Sequence, residues 1–150
     1  MSFILEISGD LACFTRPELK VGRISYPVIT PSAARNILAA ILWKPAIRWK
    51  VLQIEILKPI QWVNIRRNEV GIKMSERSQG LYIEDSRQQR ASMLLRDVAY
   101  RIYADFEMTD QAGEGDNRTK FIEMFKRRAA KGQYFHLPYL GCRQFPCHFR

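Results

Sequence analysis

The fold is decided most clearly by the stretch VAYRIYADFEM, residues 98–108, in which apolar and more polar side chains alternate. The apolar series is Val98, Tyr100, Ile102, Ala104, Phe106 and Met108. Successive side chains of a β-strand point to opposite faces of its sheet, so this period of two predicts a strand with one buried face and one open face. It is the strongest strand pattern in the chain.

Two segments have the pattern and the end residues of amphipathic helices. Thr30-Pro31 predicts the start of the first helix, because threonine caps a helix and proline is tolerated at its first position. The second is expected over residues 118–131, with Asp116 or Asn117 as its cap and Gly132 at its C-terminal end. Both helices have apolar residues on one side only, which predicts that each packs against a sheet.

The predicted order of elements indicates the fold class. Further strands are expected at residues 3–8, 49–57, 60–65 and 139–149. With residues 49–57 and 60–65 counted as one strand that Lys58-Pro59 interrupts, the order β, α, β, β, α, β predicts an α+β, ferredoxin-like fold of the kind found in RNA-recognition motifs. In it, two helices cover one face of an antiparallel sheet and leave the other face for a ligand. The polar residues 66–95 are expected to form an inserted hairpin region, and residues 1–150 to form a single domain.

Composition excludes several classes of protein. With 47% hydrophobic and 26% charged residues, the chain is neither a disordered tail nor a collagen-like fibre. The longest apolar stretch, residues 37–43, is too short to span a bilayer, and no signal peptide is evident. Three cysteines are typical of a protein with free thiols in a reducing compartment. We therefore expect a cytoplasmic protein with no membrane partner.

The charge distribution suggests a polyanionic partner. Lysine and arginine number 24 against 15 acids, which gives a net charge of +9. Residues 104–116 contain five acids and no base, whereas residues 117–150 contain eight bases and one acid, Glu123. Nucleic acid is the commonest partner of such a basic segment. A soluble surface that is merely basic is the alternative.

The motif inventory favours RNA binding over other chemistry. No phosphate-binding loop or dinucleotide motif occurs, and two histidines are too few for a multi-histidine metal site, so neither a metal nor a cofactor is expected. Basic residues instead lie among aromatic ones, a combination that holds single-stranded RNA by stacking and phosphate contacts. The candidate RNA-binding residues are Arg35, Lys44, Arg48, Arg66, Arg67, Arg127, Lys131 and Arg143.

Cleavage of RNA without a metal needs a base, an acid and a cation that stabilises the phosphate. Lys120 is the first candidate for the cation, because it lies in the first turn of the second predicted helix, where an anion is favoured. His136 is a candidate acid or base. The alternatives are an exposed helix lysine and a structural histidine.

Eight segments in order resemble a known family. They are FTRPE (14–18), SYPV (25–28), TPSAAR (30–35), WKPAIRW (43–49) with LKPI (57–60), NIRRNEV (64–70), LLRDVAY (94–100) and PYLGCR (138–143). Together they resemble the CRISPR-associated Cas-five proteins of type I-C systems, the Dvulg subtype, over residues 7–145. The resemblance implies a ferredoxin-like fold of the RAMP superfamily. Members of this family usually continue into a C-terminal set of strands, so the resemblance implies that the chain ending at Arg150 is a C-terminally truncated form.

The resemblance further implies recognition of the CRISPR repeat RNA hairpin and metal-independent cleavage of the precursor. The protein would then stay on the 5′ handle of the guide RNA, beside Cas-seven and Cas-eight subunits. The family's catalytic pattern is a tyrosine before Trp-Lys-Pro and a Lys-His pair in the second helix; here those positions hold Leu42 and Lys120-Phe121. Only Lys120 matches, so Tyr26 and His136 become candidate substitutes, and we expect Leu42 and Phe121 to be core residues. The alternatives are a non-catalytic handle-binding subunit and a generic RNA-binding module.

Overall fold

The alternating stretch is the C-terminal half of a 22-residue strand that organises the whole sheet. The computed structural model describes residues 3–17, 23–70 and 87–150. Its elements are β1 (Phe3–Ala12), β2 (Arg23–Ile24), α1 (Pro31–Ile41), β3 (Ile47–Ile56), β4 (Trp62–Val70), β5 (Arg87–Met108), α2 (Arg118–Lys131) and β6 (His148–Phe149). The described residues thus form an α+β structure with a six-stranded sheet and two helices.

Strand β5 has neighbours along both of its edges. On one edge, β1 pairs antiparallel with residues 95–104 and the short β2 pairs in parallel with residues 92–93. On the other edge, β3 pairs with residues 100–108 and β4 with residues 87–95, both antiparallel. Strand β6 adds to the outer edge of β1. At the end of the sheet where the helices lie, the order of strands is therefore β6, β1, β5, β3.

The ends of both helices confirm the sequence prediction. The Thr30 hydroxyl accepts a hydrogen bond from the Ala33 amide at 3.2 Å, and Pro31 occupies the first turn of α1. The Asn117 side chain caps α2 by accepting from the Lys120 amide at 2.9 Å. Gly132 follows α2 with a φ of 66°, in the left-handed region that glycine adopts without strain.

The two helices cover the apolar face of the sheet. Phe3, Trp49, Phe106 and Phe125 form an aromatic cluster with ring centroids 4.8–5.7 Å apart. The Trp49 indole also donates a 2.8 Å hydrogen bond to the carbonyl of Leu42, which ties β3 to the end of α1. These contacts hold α1 against the sheet, so the opposite side of α1 has a defined position.

Two predicted segments differ from the structure. Residues 66–70 and 87–95, expected in an insertion, belong to β4 and β5, while residues 71–86 lie outside the described residues. The sequence does not alternate there, since residues 87–90 are all polar and residues 93–95 are all apolar, so the pairing of β4 with β5 defines these ends. Residues 139–149 were predicted as one strand, but only His148–Phe149 pair with β1, since Gly141, with a φ of 84°, and Pro146 interrupt the extended chain. Within the described part, no helix is long and apolar enough to cross a membrane.

Candidate nucleic-acid interface

Three adjoining grooves lie on the side of α1 that faces away from the sheet. We call them the hydroxyl groove, about 510 Å³, the basic groove, about 590 Å³, and the aromatic groove, about 800 Å³. The Asn36 side chain lines all three, and Ala39 and Trp43 line both the basic and the aromatic groove. The three grooves therefore form one continuous surface, called the α1 surface below.

The hydroxyl groove contains Tyr26, one of the predicted catalytic residues. Thr15, Thr30, Ser32 and Tyr139 also line it. The Tyr26 backbone is fixed from two directions: its amide donates to the Phe14 carbonyl at 2.7 Å, and its carbonyl accepts from the buried Ser25 hydroxyl at 2.7 Å. The Arg16 guanidinium lies 5.4 Å from the centroid of the Tyr26 ring, so a cation accompanies the phenol.

The aromatic groove contains His136, the second candidate for acid–base chemistry. The amides of Phe135 and His136 both donate to the Ala40 carbonyl, at 2.8 and 2.9 Å, which holds the segment after α2 against the end of α1. The two rings contact each other edge to face, with centroids 4.4 Å apart. Among the residues that the structure describes, the His136 imidazole has no recorded hydrogen-bond partner. Its nitrogens are therefore available to a ligand.

A close contact between two loops places Tyr139 and Arg143 at this surface. Gly141 lies against the Cys13 backbone, where a Cβ atom would come within 1.9 Å of the Cys13 carbonyl oxygen. The Cys13 amide in turn donates to the Leu140 carbonyl at 3.1 Å. Only glycine permits this approach together with a φ of 84°. The PYLGCR segment owes its position on the α1 surface to this residue.

The basic groove gathers three of the predicted RNA-binding residues, Arg35, Lys44 and Arg48. Its far wall belongs to the loop of residues 109–117 between β5 and α2, which we call the acidic loop and from which Asp110 lines the groove. The pKa of Asp116 in this loop lies below its usual range, first because the Gly113 amide donates to it and then because Lys120 and Lys44 lie nearby. The acidic loop therefore carries negative charge beside Lys44 at neutral pH.

Lys120 does not line any of the three grooves. Its ammonium pairs with Asp116 at 3.1 Å, and its side chain is about half exposed. The N-terminus of α2 is already capped by Asn117. The two positions that depart from the family's catalytic pattern are both buried, Leu42 with 0% and Phe121 with 2% exposure, as predicted for core residues. No phosphate can reach them from the α1 surface.

The other predicted residues are dispersed. Arg66 on β4 and Arg127 and Lys131 on α2 are exposed but line none of the three grooves. The side chain of Arg67 lies outside the described residues. The structure thus brings together Tyr26, Arg35, Lys44, Arg48, His136 and Arg143.

Sequence reasoning missed Asn36 as a member of the site. Asn36 lies three residues after Ala33, four before Ala40 and seven before Trp43. The first two spacings place Ala33, Asn36 and Ala40 on one face of α1, and Trp43 follows the end of that helix. The sequence therefore contained a signal for Asn36, a polar amide side chain between alanines on one side of the predicted helix.

The open face of the sheet differs in character from the α1 surface. Arg101 pairs with Glu6 at 2.9 Å and with Glu55 at 3.1 Å, and Lys50 pairs with Glu107. The hydrogen bond from Arg101 is the main cause that lowers the pKa of Glu6. Each of these carboxylates is paired with a cation on the same face, so its charges are largely balanced, and a ligand on the open face stays a prediction.

Known proteins are similar to this chain in sequence and in fold. Residues 2–150 match the Cas5d family, described as CRISPR-associated protein (Cas_Cas5). The chain is 57% identical to a protein of Mannheimia succiniciproducens and 48% identical to one of Thermus thermophilus, both named CRISPR pre-crRNA endoribonuclease Cas5d. Each comparison covers 97% of this chain, and it covers 70% and 62% of the respective relatives.

A solved structure described as "Crystal Structure of CRISPR-associated Protein" has the same fold. It superposes with a TM-score of 0.70 over 99% of this chain and 65% of its own, at 23% identity. The chain thus spans about two thirds of the length of the proteins it matches. The family match over nearly every residue and the two relatives agree, and the chain belongs to the Cas5 family, in its type I-C branch.

Proposed function

We propose that this chain is a metal-independent endoribonuclease that binds CRISPR repeat RNA along the α1 surface and processes precursor CRISPR RNA. The observation that carries the proposal is its 57% identity, over 97% of its residues, to a protein named a pre-crRNA endoribonuclease. The geometry supports it independently. The α1 surface combines basic side chains with exposed aromatic rings, the pairing that binds single-stranded RNA.

Charge on the α1 surface favours a polyanion. Arg35, Lys44 and Arg48 line the basic groove, and Arg143 lines the aromatic groove. Among the described residues that line the hydroxyl and aromatic grooves, none is acidic. A phosphate backbone that follows α1 would meet cations at the basic groove and neutral hydrogen-bonding groups beyond it.

The proposed reaction is transesterification within the RNA. A base takes the proton of a 2′-hydroxyl, whose oxygen attacks the adjacent phosphorus, and the 5′-oxygen leaves with a proton from an acid. The products are a 2′,3′-cyclic phosphate and a 5′-hydroxyl. His136 and Tyr26 are the proposed acid–base residues, because they lie in adjoining grooves separated by Asn36 and Tyr139. The sequence-based proposal that Lys120 stabilises the phosphate requires RNA that also reaches the N-terminus of α2, because Lys120 pairs with Asp116 there and lines none of the three grooves.

Other parts of the proposal concern fold and partners. The strand order β6, β1, β5, β3, with both helices on one face, supports a ferredoxin-like topology within a single domain. The proposed partners are the guide RNA, held by its 5′ handle, and the Cas-seven and Cas-eight subunits of a type I-C complex. The proposed compartment is the cytoplasm.

A non-catalytic handle-binding subunit is the second candidate function. It is favoured by the burial of Leu42 and Phe121, which removes two positions of the family's catalytic pattern from the surface. The ion pair between Lys120 and Asp116 favours it as well, since it occupies the remaining one. This candidate predicts tight binding of repeat RNA without cleavage.

Cleavage of end-labelled repeat RNA by the purified chain in EDTA separates the two functions. The enzyme is expected to produce one cut, and His136→Gln and Tyr26→Phe are each expected to slow it by ~10²-fold, as loss of a general acid or base does. Lys120→Ala should slow cleavage more than it weakens binding. His148→Gln is the matched control, because His148 is an exposed histidine outside the α1 surface. Binding without any cut would establish the second function instead.

A further inference from the structure

We infer that the aromatic groove is a binding site for an unpaired nucleobase, which stacks on Trp43 or Phe135 and contacts the Asn36 amide. This inference rests on the proposed function, because it names what part of the RNA the groove accepts. The first observation is that two aromatic side chains at the groove are more than half exposed. Trp43 is 54% and Phe135 58% exposed, although both are large rings beside a groove of about 800 Å³.

The groove presents its rings in a fixed arrangement. Trp43 follows the C-cap of α1. The Phe135 amide donates a hydrogen bond to the Ala40 carbonyl at 2.8 Å, which anchors Phe135 to the same helix. The His136 ring supports Phe135 edge to face. The backbones of both residues are therefore positioned by α1 before a ligand arrives, which reduces the ordering that stacking requires.

Polar groups in the groove suit a base better than an aliphatic side chain. Asn36, His136 and Tyr139 line it, and among the described residues none of their side chains has a recorded hydrogen bond. An asparagine amide offers one acceptor and two donors, which match the edge of a nucleobase. Rings with adjacent unsatisfied amide and imidazole groups form a stacking platform with hydrogen-bond readout.

The charges around the groove distinguish RNA from a protein partner. Arg143 lines the groove, and Arg35 and Lys44 lie in the adjoining basic groove, whereas the groove itself has no acid among its described lining residues. A nucleotide brings a phosphate to these cations as its base enters the groove. An apolar protein segment would leave the same cations without partners.

Two RNA probes of equal length test this site. One is a fluorescein-labelled decamer of adenylate, and the other is the same chain of ribose phosphates without bases. The wild-type chain is expected to bind the adenylate decamer at least tenfold more tightly, since stacking of one base on an aromatic side chain contributes ~1–3 kcal/mol. Trp43→Ala or Phe135→Ala should bring that ratio towards one, and Trp43→Phe should largely preserve it.

A substitution at Trp62 is the matched control. Trp62→Ala removes a tryptophan of similar exposure that lines none of the three grooves, and it should keep the tenfold ratio. Equal affinity of the wild type for both probes would overturn the base site while leaving RNA binding intact. Failure to bind either probe would also overturn the base site, whereas the proposed function is refuted only if repeat RNA is neither bound nor cleaved. If Trp43→Ala kept the ratio but prevented association with another Cas subunit, the groove would be a protein-docking site.

Discussion

Restoring the family's catalytic residues at positions 42 and 121 should damage the protein without increasing cleavage. The change is Leu42→Tyr combined with Phe121→His. Leu42 is fully buried and its carbonyl accepts the indole hydrogen bond of Trp49, while Phe121 is 2% exposed. A phenol and an imidazole placed there would lie in the core, out of reach of an RNA phosphate on the α1 surface.

The expected loss in free energy of unfolding follows from the burial of both positions. Tyrosine adds atoms to a filled site, and such overpacking costs ~1–3 kcal/mol. Histidine in place of Phe121 buries a polar ring without a partner, at a cost of ~1–3 kcal/mol. The free energy of unfolding should fall by about 2–6 kcal/mol, which lowers the melting midpoint of a chain of this length by roughly 4–24 °C.

Thermal unfolding by circular dichroism and cleavage of repeat RNA in EDTA measure the two effects. Trp43→Tyr is the matched control, because it puts a phenol at the neighbouring exposed position and should leave the melting midpoint within a few degrees. A double variant that melts like the wild type would contradict the burial of both positions, and one that cleaves at least ten times faster would show that they reach the substrate.

Three further predictions test charge, loop geometry and pH dependence. Affinity for repeat RNA should fall steeply, at least tenfold, as salt rises from 50 to 200 mM, because phosphate contacts release counterions; a flat response would refute an electrostatic interface. Gly141→Ala should destabilise the fold by ~1–3 kcal/mol or more in chemical denaturation and weaken RNA binding, whereas Gly115→Ala, whose Cβ would meet no atom within 4 Å, should do neither. Burial raises the pKa of Tyr100 to about 12 from an ordinary value of 10, with a backbone hydrogen bond to Ile29 opposing the shift. Stability from the neutral phenol is therefore complete below pH 10 and lost as pH rises to 12, and Tyr100→Phe should remove that part of the decline in unfolding free energy.

The sequence predicts an element well where one pattern and one end residue agree. Residues 98–108 alternate, with Ala99 and Tyr103 as the apolar members of the second series, which predicts a strand but not where it begins. Both helices have a hydrogen-bonding cap, and Gly132 follows the second, so these ends were predicted closely. The continuation of β5 towards Arg87 could not be predicted, because the sequence of residues 87–95 does not alternate and the strand is defined there by its pairing with β4. The break near Gly141 depends on a contact with Cys13, which is 128 positions away in sequence.

The candidate site was predicted in its composition but not in its location. Basic and aromatic residues indicated RNA, yet spacing alone could not show that Tyr26 and His136 approach α1 from opposite ends of the chain. It also could not show that Asp116 pairs with Lys120. These relations arise from packing between distant segments.

Two charge-matched pairs of substitutions test most directly whether RNA binds along α1. Lys44→Gln with Arg143→Gln removes two charges from the α1 surface, and Arg127→Gln with Lys131→Gln removes two from the exposed side of α2. Repeat RNA affinity, measured by fluorescence anisotropy over a salt series, should fall about tenfold or more for the first pair, with the salt slope reduced by about two. The second pair should bind within about twofold of the wild type. If the second pair lost as much affinity as the first, or more, the RNA would not follow the α1 surface.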